Sequence, residues 1–253
     1  MTRIIAVANQ KGGVGKTTTA VNVAASLAGD KYQVLLVDLD PQGNATSGLG
    51  LPKEQTVTTY EVLRGDANLE QGIAPTRIDN LFVIAANPNL AAAEIDLVDM
   101  EHREFRLQQA LKNATHDYVI IDCPPALGLL TINALTAATD VLIPVQTEYY
   151  ALEGLGQLLG TVQRVREATN PRLDLLGVVL TMYDKRTSLS EQVKQEIETH
   201  FGDKLFTAVV PRNIRLAESP SYGRTIFEHD KWSKGARAYK AVAKEVQKRT
   251  GGK

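Results

Sequence analysis

The sequence predicts a doubly wound α/β fold, a mainly parallel sheet with helices on both faces. Three observations predict it. Short apolar runs rich in β-branched residues alternate with longer helical stretches along the 253 residues. Several of these runs (VLLV, YVII, GVVL) are continuous rather than alternating, as strands covered on both faces are. The first run passes directly into a glycine-rich turn and then a helical pattern.

The first strand, 3–8, is RIIAVA, and a helix over 16–28 follows the turn. The second, 33–38, is QVLLVD and ends in an acid. LFVIA forms the third at 81–85, followed by a helix over 101–114. DYVIID at 117–122 is the fourth, again ending in an acid, with a helix over 127–138 after it. Strand 141–145 leads into a helix over 151–169, stopped by Asn170–Pro171 because a residue before proline leaves the helical region. Strand 175–181, a helix over 188–201, a strand 206–210 and a last helix over 234–249 complete the order. No repeat or long linker divides the chain, so 1–253 reads as a single domain. In such folds ligands bind beyond the carboxyl ends of the strands, and chemistry is sought there.

Composition excludes several classes. Hydrophobic residues at 43% and charged residues at 23% are inconsistent with intrinsic disorder. No apolar run approaches the ~20 residues of a membrane span. The apolar start is too short for a secretory signal. A single cysteine, Cys123, excludes an internal disulfide and fits a reducing compartment; four scattered histidines give no zinc spacing. Net charge is −1, but it is distributed unevenly, with +7 over 211–253 and −8 over 1–210. Such asymmetry suggests a surface facing a polyanion.

The turn after the first strand reads Asn9-Gln10-Lys11-Gly12-Gly13-Val14-Gly15-Lys16-Thr17-Thr18. A strand, a glycine loop and a helix form the context of a phosphate site: amides converge on one anion and the helix N-terminus adds positive charge. Lys16 is placed to reach the β- and γ-phosphates, and Thr17 to ligate Mg²⁺. The loop departs from the general pattern, with Gln10 where a glycine is usual and a second lysine, Lys11, next to it. Asp38 and Asp40 end the second strand on one side, and Asp122 ends the fourth.

With these motifs the chain resembles the deviant Walker-A P-loop ATPases, whose members include ParA/Soj, MinD and the nitrogenase iron protein. The last needs two cysteines per subunit, and this chain has one. The ParA/Soj resemblance extends over nearly the whole chain through DLDPQGNATSGLG (38–50), IIDCPPALGLLTINAL (120–135), PVQTEYYALEGL (144–155), LTMYDKRTSL (180–189) and PRNIRLAESPSYG (211–223). It implies a MinD-like P-loop fold and an ATPase slow without its partner, with ATP and Mg²⁺ as cofactors. ATP joins two subunits into a homodimer, and Lys11 reaches the neighbour's phosphates. Asp40 orients the attacking water, Asp122 holds Mg²⁺ through a water, and Pro211 and Asn213 lie against the adenine. The loop's contacts run from Lys11 through Gly12, Gly13, Val14, Gly15 and Lys16 to Thr17 and Thr18.

The same resemblance implies non-specific binding of double-stranded DNA through Arg186 and Arg215, a ParB-like centromere-binding activator, and a cytoplasmic, nucleoid-associated location. Replication control is a further role of some relatives. Because the chain begins at the first strand, no separate N-terminal DNA-binding domain is expected. On a helical wheel the last helix gathers Ala236, Tyr239, Val242, Ala243 and Val246 on one face and Lys234, Arg237, Lys240, Lys244 and Lys248 on the other. Its apolar residues are too small for a membrane wedge, so the basic face is expected to look outward to DNA. A MinD-like membrane regulator and an ATP-dependent amide ligase are the alternatives.

Overall fold

Strand β1 (Arg3–Val7) lies inside a seven-stranded sheet completed by β2 (Val34–Asp38), β3 (Ile73–Pro75), β4 (Leu81–Ile84), β5 (Tyr118–Asp122), β6 (Asp140–Gln146) and β7 (Asp174–Thr181). This computed structural model describes residues 2–148 and 151–252, so Tyr149 and Tyr150 of the 144–155 motif lie outside it. The sheet order is β3-β4-β2-β5-β1-β6-β7, and every pairing but β3–β4 is parallel. The chain leaves β1 towards β2 on one side and later adds β6 on the other. The carboxyl end of β1 is therefore the switch point where doubly wound folds bind ligands.

The helices are α1 (Lys16–Gly29), α2 (Asn44–Gly48), α3 (Thr59–Arg64), α4 (Leu69–Gly72), α5 (Ala93–Asp96), α6 (Arg106–Leu111), α7 (Leu129–Ala137), α8 (Ala151–Ala168), α9 (Ser188–Phe201), α10 (Ile214–Glu218), α11 (Ile226–Asp230) and α12 (Lys234–Arg249). The continuous apolar runs are explained by burial on both sides. Leu35, Val37, Val119 and Ile121 face one core, and Val34, Leu36 and Ile120 face the other; all are fully buried. Helix α12 lies on the second core. Tyr239, Val242 and Val246 are buried there, and the Tyr239 hydroxyl meets the Thr19 hydroxyl of α1 at 3.1 Å.

Three expectations change. Segment 206–210 is not a strand. Phe206 N and Val210 N donate to Val178 O and Leu180 O beside β7, but between them Thr207 N and Ala208 N donate to the Glu245 carboxylate at 3.1 and 3.0 Å. A side chain of α12 thus takes the donors a ladder would use. The helix expected over 101–114 is confined to a 3₁₀ turn, Arg103–Phe105, and α6. Asn133 of α7 accepts from Leu107 N and donates to Arg103 O, which breaks the local helical pairing. The short antiparallel β3 was not expected, since proline suits only such an edge.

Candidate functional site

The loop between β1 and α1 is fixed from three sides. Asn9 Nδ2 donates to Pro144 O at 2.7 Å, and Asn9 Oδ1 accepts from Lys11 N at 3.0 Å. Thr181, at the end of β7, donates to Val14 O at 2.8 Å. Gly13 and Gly15 hold φ of +74° and +86°, a region open to glycine at little cost. A Cβ built on Gly12 or Gly13 meets nothing within 4 Å, so the space before the loop is open. Helix α1 starts there with neither a side-chain cap nor an acid in its first turn. Helices α3, α4 and α11 all carry reciprocal capping boxes. The uncapped first-turn amides of α1 are left for an anion.

Lys16 points inward and is only 6% exposed; its ammonium donates to Lys11 O at 2.9 Å. Burial lowers its pKa, opposed by Asp122, Cys123 and Asp40. Asp122 is fully buried, and neither carboxylate oxygen has a hydrogen-bond partner. Burial first, then Asp38, push its pKa well above the ordinary carboxylate value, with the Thr17 side chain among the groups that temper the rise. A buried, orphaned carboxylate beside a threonine suits a divalent cation that completes its shell with waters and phosphate oxygens. Among the described residues no cluster of three or more His, Cys, Asp or Glu is placed to hold a metal ion. Burial also raises the Cys123 thiol, which makes it a poor nucleophile at neutral pH.

Asp38 and Asp122 are register partners on adjacent strands. Asp38 accepts from Thr46 N at 2.8 Å, Thr46 Oγ1 at 2.7 Å and Asp40 N at 3.2 Å. It therefore pins α2 and the turn carrying Asp40. Burial lifts its pKa to about 6 against the Thr46 hydrogen bonds. Asp40 is 7% exposed and accepts from Gln42 N at 3.0 Å. Gly43 closes the turn at φ +60°, where a Cβ would lie 2.8 Å from Ala86 O. Loop, Lys16, Asp40 and Asp122 thus converge at the carboxyl ends of β1, β2 and β5.

Lys11 is held on its own chain. Its ammonium lies 2.7 Å from Glu148 Oε2, and Gln146 Nε2 donates to the other carboxylate oxygen. Sequence reading missed Glu148, Asn9, Thr46 and Thr181. Thr181 was findable as a strand-end residue; the others depend on long-range packing.

Pro211 is bridged to Tyr183 just past β7. Asn213 caps α10 through Leu216 N at 3.3 Å. Arg186 is 83% exposed at its side chain and forms a two-point ion pair with Asp184, at 2.9 and 2.7 Å. It shares a groove of about 710 Å³ with Lys185, Arg212, Pro211, Lys234 and Arg237, in which Asp184 is the one acid. The remaining cations do not join them there. Arg215 pairs with Glu218 at 2.9 Å and Asp230 at 3.8 Å. Lys240 faces a separate depression with Asp30 and Glu228. Lys244 lines a further depression of mixed charge, with Lys204, Lys248 and Arg249 beside Asp140, Asp174, Asp203 and Glu245, at the start of β6 and β7 and away from the phosphate loop. The wheel places these lysines on one side of the helix, but along its length they meet different surroundings.

A family model described as an AAA domain matches residues 2–175. The chain is 55% identical over 251 residues to the sporulation initiation inhibitor protein Soj of Bacillus subtilis, covering 97% of this chain and 98% of that protein. It is 52% identical over 250 residues to the chromosome partitioning protein ParA of Myxococcus xanthus, covering 98% and 88%. The chain belongs to the ParA/Soj family of chromosome-partitioning ATPases. A ParA/Soj fold is also consistent with a solved structure named cobyrinic acid a,c-diamide synthase, from Mycobacterium smegmatis, with bound ADP and magnesium. That likeness has a TM-score of 0.86 at 41% identity, covering 99% of this chain and 97% of that one. In this ParA/Soj chain the inward Lys16, the orphaned Asp122 and the Asp40 turn meet at one switch point.

Proposed function

We propose that this chain is a Mg²⁺-dependent ATPase whose ATP-bound homodimer binds double-stranded DNA without sequence preference and releases it on hydrolysis. The observation that carries this reading is the convergence of an open glycine loop, an uncapped helix N-terminus, Lys16, Asp40 and the orphaned Asp122 at one switch point. The loop amides from Gly12 to Thr18 and the Lys16 ammonium bind phosphate oxygens. Thr17 directly, and Asp122 through a water, would hold Mg²⁺, which would supply neutralisation of the charge building on the phosphates. Asp40, fixed by Asp38 and Gly43, orients water for attack. Lys11 leaves Glu148 to serve the neighbouring subunit's nucleotide. Pro211 and Asn213 border the base.

The groove holding Arg186, Lys234 and Arg237 supports phosphate-directed DNA binding. Arg215 contributes after giving up its acidic partners. Lys240 and Lys244, in their separate surroundings, are peripheral to this contact. A ParB-like centromere-binding protein is the proposed activator, and the nucleoid the proposed location. Against a MinD-like membrane role stands the apolar face of α12, buried against the sheet and α1 rather than free. An amide-ligase reading requires turnover of an organic acid.

Calorimetry with ATP and Mg²⁺ tests the reading. Wild type is expected to bind, and Lys16→Ala to lose about ten- to a hundredfold in affinity, the scale of a deleted hydrogen bond between charged groups. Normal binding by Lys16→Ala contradicts the assignment.

A further inference from the structure

Trp232 is the only tryptophan in the chain and, among the described residues, the most exposed large apolar side chain, at 78%. A single exposed apolar side chain is ordinary on a protein surface, but an indole joins a large apolar face to a polar N–H and so suits a binding interface. Lys231 Nζ stands 5.3 Å from the ring centroid. Ser233 caps α12 directly afterwards, and the next turns place Lys234 and Arg237 in the groove with Arg186 and Arg212. Asp230 accepts from Trp232 N at 3.2 Å and also pairs with Arg215, tying the tryptophan's loop to α10. Helix α10 presents Ile214, itself 71% exposed, between Asn213 and Arg215.

We propose that Trp232 is an apolar DNA contact at the edge of the basic groove, packing against the duplex between phosphates engaged by Lys231 and Lys234. The inference rests on the DNA-binding reading above and adds to it a non-ionic component. Charge complementarity selects the occupant, because five cations and one acid line the adjoining groove. The backbone hydrogen bond to Asp230 holds the indole's loop in place, so binding the duplex orders little more of the chain.

The physical signature differs from that of a lysine. Each phosphate contact releases counterions and adds to the salt dependence of binding, whereas an uncharged contact neutralises no phosphate and leaves the salt slope unchanged. The experiment uses the full chain with ATP, Mg²⁺ and a linear duplex of mixed sequence. Tryptophan emission is recorded on wild type. Labelled-duplex anisotropy across a potassium chloride series is recorded on wild type, Trp232→Ala, Trp232→Phe and Lys234→Ala.

The expected result is a DNA-dependent change in Trp232 emission, and a loss of about five- to tenfold in affinity for Trp232→Ala, the scale of a partly buried large apolar side chain, with an unchanged salt slope. Trp232→Phe restores most of the affinity, while Lys234→Ala lowers the slope by about one. Normal DNA binding with unmoved emission, or wild-type affinity in Trp232→Ala, overturns this inference alone. A wild-type protein that binds no DNA overturns both it and the reading on which it rests.

Discussion

The ammonium of Lys11 lies 2.7 Å from the carboxylate of Glu148 on the same chain. The lysine that distinguishes this loop is therefore committed within the protomer, and reaching a neighbouring subunit requires breaking that pair. Both side chains are about 40% exposed, at 37% and 46%, which limits the pair to roughly 1 kcal/mol. Glu148→Gln is expected to lower the ATP concentration for half-maximal dimerisation by about two- to fivefold, read by light scattering. An unchanged midpoint means the pair does not compete with assembly.

Asp122 is buried without a hydrogen-bond partner, an arrangement that destabilises the empty protein and favours a cation. Asp122→Asn is expected to raise apo-protein stability by about 1–2 kcal/mol in chemical denaturation. It is also expected to weaken Mg²⁺ activation of ATP turnover at least tenfold, on the order of the loss when a metal site is disturbed. A destabilised variant with normal Mg²⁺ dependence refutes the metal role.

Arg186 is bound to Asp184, whose carboxyl the guanidinium holds down at about 2. DNA must then compete with an internal partner. Asp184→Asn is expected to tighten duplex binding about threefold, within the range of an exposed ion pair. Arg186→Glu weakens it about tenfold or more while leaving ATP-dependent dimerisation intact. Equal duplex affinity in all three proteins across a salt series removes Arg186 from the interface.

The sequence made the centre of the fold legible because its signals are local. VLLV and YVII lie between two cores, and the acids ending them, Asp38 and Asp122, come side by side. The phosphate loop was legible for the same reason, since strand, glycines and helix are contiguous. What escaped depends on distant partners. Glu245 withdraws the amides of Thr207 and Ala208 from the expected strand, and Asn133 breaks the helix over 101–114. No spacing links Lys11 to Glu148. A wheel reports direction around α12 but not that its lysines pass from the basic Arg186 groove to a depression of mixed charge with Asp140 and Asp174.

The central claim, that ATP held by this loop joins two chains until Asp40 permits hydrolysis, is tested most directly by light scattering of Asp40→Ala after size exclusion with ATP, with ADP and without nucleotide. The account predicts a stable dimer with ATP alone and monomers otherwise. An Asp40→Ala protein that binds ATP yet remains monomeric would contradict it.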